Sequence, residues 1–326
     1  MKKVLGIGNA LVDVMTPLED DSIIEQLAFA RGSMNLVDNG KSGEIKELTA
    51  HFASSMASGG SAANTVHGLS KLHVETGFIG AVGEDTIGKI FEKNMKSAGV
   101  KTYLSIKDDN TGTAVALISR DSERTFATHL GAAEKLRAVD LDQSVFRDYD
   151  YLYLEGYLIT NMEIVERACS YAKELGMKVA IDMASFNVVE AYRDNFSRII
   201  DNYVDIIFAN EYEAKAFTGK GAEEALEELS EKCEMAVVKT GAKGSLIHDG
   251  SKVIKVDAMK VKSIDTTGAG DLYAAGFLYG LVNNAPPEKC GFFGTLLASY
   301  VIQFLGPKID TEKWPKIREE IDEKMA

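Results

Sequence analysis

The chain has 326 residues, 45% of them hydrophobic and 26% charged, with a formal charge of 36 − 49 = −13. This length suits one large α/β domain carrying an inserted piece, and so acidic a surface repels phosphate backbones, which excludes nucleic-acid binding as the main role. Cys169, Cys233 and Cys290 lie far apart with no CxxC pair, the usage expected of free thiols in a reducing cytoplasm rather than of a disulfide frame or a zinc site.

The N-terminal stretch MKKVLGIGNALVDVM begins basic and then apolar, but Gly6, Gly8, Asn9 and Asp13 interrupt it and no small-residue cleavage site follows. KKVLGIG therefore reads as a buried first strand. The G-x-G of GIGNAL lacks a third glycine and no helix opens after it, so it is not a dinucleotide fingerprint. No run is long enough to cross a membrane.

Strand-like and helix-like segments then alternate. GFIGAVG (77–83) reads as a strand, and 86–99 has helical spacing and stops at a glycine. Residues 148–158 read as a strand, 161–176 as a helix and 177–183 as a strand. Residues 204–219 read as a strand and a short helix, and 235–250 as two strands joined by a Gly-rich turn. Repeated β-then-α order predicts a mostly parallel central sheet with helices on both faces, and the apolar runs IIFA and AVV fit burial on both sides. Residues 14–38 and 101–129 break the rhythm with short alternating strands and turn signals such as DDNTG. They are expected to meet as a small β-sheet lid on a single α/β domain spanning 1–326.

The segment DTTGAGDLYAAGFLYGL (265–281) carries the clearest chemistry. Gly268, Ala269 and Gly270 lack bulk, so an anion can approach their N–H groups at the start of the helix that follows. Asp271 suits a helix cap, but a carboxylate beside an anion hole can also accept a proton from an attacking hydroxyl. Asn210 and Glu213, three apart on one helical turn, offer an amide and a carboxylate that suit magnesium held through water; Asn210 would equally make a good cap. Thr240, Gly241 and Gly244 follow the strand AVVK, where two glycines permit close backbone approach or a plain hairpin. Lys239 is placed either on a phosphate or in solvent. Asn9 and Asp13 are expected at the carboxyl end of the first strand, where open α/β sheets bind ligands, with Gly59, Gly60 and Asn64 of ASGGSAANTVHGLSKL (57–72) close by. The five histidines show no ligand spacing.

D-T-x-G-A-G-D at 265–271 resembles the second signature of the ribokinase-like (PfkB) carbohydrate and nucleoside kinases. The GG…N stretch at 57–72, G-x-V-G-x-D-x-x-G within 78–91, N-x-x-E within 210–214 and KTGAKGS (239–245) resemble that family's other motifs, in family order. The resemblance implies an ATP- and Mg²⁺-dependent kinase with Asp271 as general base and Gly268, Ala269 and Gly270 as the anion hole. It places Asn210 and Glu213 in the Mg²⁺–phosphate network, Thr240, Gly241 and Gly244 on the nucleotide side, and Asn9, Asp13, Gly59, Gly60 and Asn64 on the acceptor. Asp265 shapes the loop and, in some members of the family, lies beside a monovalent-cation site, so K⁺ enters as a candidate.

Forty-five residues (14–58) separate Asp13 from Gly59, and this long segment looks more like the adenosine kinase branch than ribokinase. ERTFATHLGAA (123–133) resembles that branch's R-[ST]-x-x-x-x-L-x-A-A stretch and gives Arg124 a place near the transferred phosphate; otherwise Arg124 is a surface arginine beside Glu123. Met34, Leu36 and Phe126 are lid residues expected either to face a purine or to pack on one another. The implied reaction phosphorylates the 5′-hydroxyl of adenosine; a sugar kinase for ribose, fructose or 2-keto-3-deoxygluconate and a non-catalytic sensor are the alternatives. The expected partner is a small-molecule nucleoside or sugar, and the lid permits a monomer or a homodimer.

Overall fold

The computed structural model describes residues 2–121 and 123–325. Its strands are β1 (Val4–Ile7), β2 (Leu11–Pro17), β3 (Met34–Leu36), β4 (Ser55–Gly59), β5 (Thr76–Gly83), β6 (Lys101–Lys107) and β7 (Thr111–Ile118). They continue with β8 (Arg124–Gly131), β9 (Tyr151–Glu155), β10 (Lys178–Asp182), β11 (Ile206–Asn210), β12 (Met235–Lys239), β13 (Ser245–His248) and β14 (Val253–Val256).

Nine strands form the main sheet, in the order β14-β13-β12-β11-β10-β9-β1-β5-β6. All pair in parallel from β6 to β12, and β13 and β14 close the far edge antiparallel. The apolar runs at Ile206–Ala209 and Ala236–Val238 are buried, as a strand covered on both faces requires. One face carries the helices Ser61–Lys71, Ala269–Val282 and Pro287–Val301, and the other Met162–Glu174, Arg193–Tyr203 and Ala222–Ser230. Ala269–Val282 is apolar on nearly every side because it is wedged between Ser61–Lys71 and Pro287–Val301. β1 lies between β5 and β9, and the later strands build outward from β9, so the chain changes direction at β1 and leaves a crevice at the carboxyl ends of β1 and β9.

Five strands form the second sheet, in the order β3-β8-β7-β2-β4, with its own small core of Leu18, Ile23, Ile24, Leu27, Ile45 and Leu117. Its composition differs from the sequence expectation. Residues 101–107 are not lid: β6 begins two residues after Gly99 and pairs in parallel with β5 as the edge of the main sheet. An edge strand has one neighbour and keeps half its side chains wet, so its pattern imitates a lid strand. The stretch 14–38 holds only the end of β2, the helix Ser22–Gln26 and β3, while β4, just before Gly60, joins the lid antiparallel to β2. Residues 148–158 likewise give a strand only at Tyr151–Glu155, because Gly156–Thr160 turns into a 3-10 helix. The helix expected at 86–99 forms at Thr86–Ala98, capped by Asp85 and stopped by left-handed Gly99. Cys169, Cys233 and Cys290 are free thiols, and no described helix is long and apolar enough to cross a membrane.

Candidate active site

Gly268 has φ +75°, a conformation open to glycine, and a Cβ there would stand 2.7 Å from Pro307. The turn lets the helix begin at Ala269 with no side chain capping it. The N–H groups of Gly270 and Asp271 have no acceptor among the described residues and open toward a cavity of about 860 Å³. Asp271 does not cap its own helix. Its Oδ1 accepts from the Ser61 hydroxyl at 2.7 Å and its Oδ2 from the Asn64 amide at 2.8 Å. Burial pushes its carboxyl up to about 6, against the pull of those two hydrogen bonds.

Gly268, Ala269, Gly270, Asp271, Asn210, Glu213, Gly241 and Gly244 all line this one cavity. Asn210 and Glu213 form a reciprocal cap at the start of the helix Glu211–Thr218. Asn210 Oδ1 accepts from the Tyr212 and Glu213 N–H groups at 2.9 Å, and Glu213 accepts from the Asn210 N–H at 2.7 Å and its amide at 2.6 Å. The cap and the cavity wall are thus the same two residues. Burial, then the neighbouring Asp182, pushes Glu213 up to about 7. No group of three or more His, Cys, Asp or Glu able to hold a metal occurs among the described residues. Both Glu213 oxygens and the Asn210 Oδ1 take part in this cap, so these residues suit Mg²⁺ only through its waters, with phosphate as the direct ligand.

Lys239 is not solvated. Its ammonium pairs with Asp182 at 2.7 Å, and a Cβ on Gly270 would stand 3.2 Å from it. Burial works against its charge, but Asp182 and Glu213 outweigh that and hold it above its ordinary range. Thr240 closes the β12–β13 hairpin by bonding the Gly244 carbonyl and faces a smaller adjoining cavity instead of the main one.

The acceptor-side residues lie beyond Ser61 and Asp271. Asp13 stands not at the end of the first strand but on lid strand β2, directly beneath Gly59, where any Cβ would collide with its carboxylate. Burial pushes Asp13 up to about 7, opposed by the nearby Lys308. Asn9, in the turn between β1 and β2, gives its amide to Glu155 at 2.7 Å, and Glu155 also accepts from the N–H of Ala62 at 3.0 Å. Glu155 ties the end of β1 to the helix Ser61–Lys71, next to Gly60, and burial pushes it up to about 7.

Arg124 is not a surface residue. Its side chain is 7% exposed and pairs with Asp265, with Nη1 also 3.2 Å from the Thr267 hydroxyl. On Asp265 the Thr267 N–H at 2.9 Å, the Thr267 hydroxyl at 2.8 Å and Arg124 share Oδ1, and the Gly306 N–H reaches Oδ2 at 2.6 Å. Met34 and Leu36 are exposed to 55% and 73%, so neither packs in the lid core. Asp182, Glu155, Ser61 and Lys308 escaped the sequence reading. The only signal for the first two was an acid closing an otherwise apolar strand, at 182 and 155.

The sequence pattern of the pfkB family carbohydrate kinases matches residues 33–314. The structure is similar to that of an adenosine kinase from Sinorhizobium meliloti, with a TM-score of 0.88 and 32% identity over 98% of this chain and 99% of that one. It is equally similar to a probable sugar kinase from Rhizobium etli CFN 42, with a TM-score of 0.89 and 31% identity over 99% and 98% of the two chains. An adenosine kinase from Saccharomyces cerevisiae is 27% identical over 94% of this chain and 96% of its own length. With its ribokinase-like α/β sheet and small second sheet, the chain belongs to the PfkB family of carbohydrate kinases, phosphotransferases that use ATP and Mg²⁺ and act on alcohol groups.

Proposed function

We propose that the protein transfers the γ-phosphoryl group of ATP to the 5′-hydroxyl of a nucleoside, adenosine first, giving AMP and ADP. The observation that carries the phosphoryl-transfer step is the placement of Asp271. Its carboxylate is held by Ser61 and Asn64 at the mouth of a cavity whose wall offers the free N–H groups of Gly270 and Asp271. The acid takes the proton from the attacking hydroxyl while the N–H groups and Lys239 stabilise charge on the transferring group. Asn210 and Glu213 would hold Mg²⁺ through water, and the ion, when bound, would supply charge neutralisation on the phosphates. Gly241 and Gly244 form the nucleotide side of the cavity. Arg124 brings two further donors, Nε and Nη2, that are buried without a partner among the described residues and suit a phosphate oxygen. Closing the lid over the acceptor excludes water and limits wasteful ATP hydrolysis.

The nucleoside assignment rests on the long lid, on Arg124 and on the adenosine kinases among the similar proteins. The similarity to a probable sugar kinase keeps a free sugar as the second reading. On the acceptor side, Asp13 of the lid and Asn64 of the body pair with sugar hydroxyls. Beside the Asp265 carboxylate Arg124 already supplies a positive charge, which disfavours a monovalent cation on Oδ1. Calorimetric titration without ATP tests the acceptor assignment: adenosine binds and free ribose does not. The opposite order would move the protein to the sugar kinases.

A further inference from the structure

The loop that follows the helix Pro287–Val301 is pinned to the Asp265–Asp271 segment at two points. The Gly306 N–H bonds Asp265 at 2.6 Å, and Pro307 packs so close to Gly268 that a Cβ there would come within 2.7 Å. The next residue, Lys308, is thereby delivered to the acceptor side of the site. Its ammonium donates to Asn64 Oδ1 at 2.8 Å, and the other end of the same amide donates to Asp271 Oδ2 at 2.8 Å.

An amide group can turn over and exchange its oxygen for its NH₂ with little change in shape. Turned over, Asn64 would set its oxygen against the Asp271 carboxylate. Lys308 has only donors to offer, so its place at Oδ1 forces the NH₂ toward Asp271. The ammonium also stands among charges from three elements: Asp13 on lid strand β2, Asp271 on the helix Ala269–Val282, and His67 and Lys71 on the helix Ser61–Lys71. Asp271 itself further faces Asp182 and Lys239 at the ends of β10 and β12, with Glu155 at the end of β9 feeling its charge.

We infer that Lys308 is a positioning residue for the transfer: it locks the Asn64 amide against Asp271, and its charge offsets the two carboxylates, Asp13 and Asp271, that face the acceptor. Two like charges in one pocket resist joint ionisation unless a cation lies between them. Burial lowers Lys308 to about 8 while Asp13, then Asp271, work to keep its charge. The inference rests on Asp271 being the base.

The test is the pH dependence of kcat and KM for wild type, Lys308→Gln and Lys308→Arg, with an acceptor that the wild type phosphorylates. Lys308→Gln keeps an N–H donor for Asn64 and loses the charge. The acid limb of kcat/KM is expected to move up by about one pH unit, so that a roughly tenfold loss on that limb shrinks on the alkaline side. Lys308→Arg is expected to restore the wild-type midpoint. A Lys308→Gln loss that is equal at every pH, no loss at all, or an arginine variant no better than the glutamine one would each overturn the inference. If Lys308→Gln does not fold, Lys308→Met, which buries no polar group, is read by the same midpoint. A wild type that phosphorylates no acceptor would remove the base assignment and this inference with it; an unmoved midpoint beside an active wild type removes Lys308 alone.

Discussion

Arg124 reaches from lid strand β8 into the body of the protein and pairs with Asp265, the first residue of the segment that ends in Asp271. The pair joins the lid to the 265–271 segment, and both side chains are more than nine-tenths buried. Removing one member strands the other charge in a dry place. Asp265→Ala is expected to cost about 3–5 kcal/mol, measured by urea unfolding. The double variant with Arg124→Met is expected to recover part of that loss, since no unpaired charge then remains. A double variant as unstable as the sum of the two singles would contradict the coupling.

The same pair bears on cation dependence. Because Arg124 already lies on the Asp265 carboxylate and the Ile302 carbonyl beside it accepts from Ile264 and Asp265, a bare monovalent ion gains little there. Replacing K⁺ by a bulky organic cation at constant Mg²⁺ is expected to leave turnover within about twofold, the scatter of a weak surface salt effect. A loss of an order of magnitude or more would return a cation to the site.

Asp271→Asn is expected to cut kcat by about two to four orders of magnitude while acceptor binding survives. For the wild type, turnover should fall as pH drops through about 6, where the Asp271 carboxyl takes up its proton. Normal turnover in the asparagine variant would remove the base.

Stability of the ligand-free protein carries the opposite sign. Asp13, Glu155, Glu213 and Asp271 are all pushed above the ordinary carboxyl range, chiefly by burial. The folded protein therefore holds protons that the unfolded chain has released, and stability is lost as pH rises from about 4 through about 7. His67, driven well below its ordinary value by burial, opposes this with a single proton. Thermal unfolding should give a higher Tm at about pH 5.5 than at about pH 8. Asp271→Asn should raise the Tm at the higher pH, and a fall there would show that the ionised form is the better packed one.

Asp13→Ala is expected to raise the acceptor KM with a smaller effect on kcat, because it takes away a hydroxyl partner on the lid wall and leaves Asp271 in place. An unchanged acceptor KM would take Asp13 out of the acceptor site.

Most of the parallel sheet was legible because strands buried on both faces leave unbroken apolar runs, as at Ile206–Ala209. The edge strand β6 and lid strand β4 were not, since a strand with one neighbour and few apolar residues has the pattern of a loop or of another sheet. Local spacing also picked out residues that the fold brings to one cavity: Asp271 after its glycines, and Asn210 with Glu213 on one helical turn. Glu155, Asp182 and Lys308 act through tertiary meetings. Glu155 meets Asn9 from 146 residues away and Lys308 meets Asn64 from 244, so no local pattern announces them. The local pattern left open whether Arg124 is a surface residue, and only the fold shows Asp265 meeting it in the interior.

The most direct test is ADP release with ATP and Mg²⁺ against adenosine, inosine, guanosine, cytidine, ribose, fructose and 2-keto-3-deoxygluconate. The account predicts strong selectivity for adenosine, with the product carrying phosphate on its 5′-oxygen. Selectivity for a free sugar, or no turnover with any nucleoside, would contradict it.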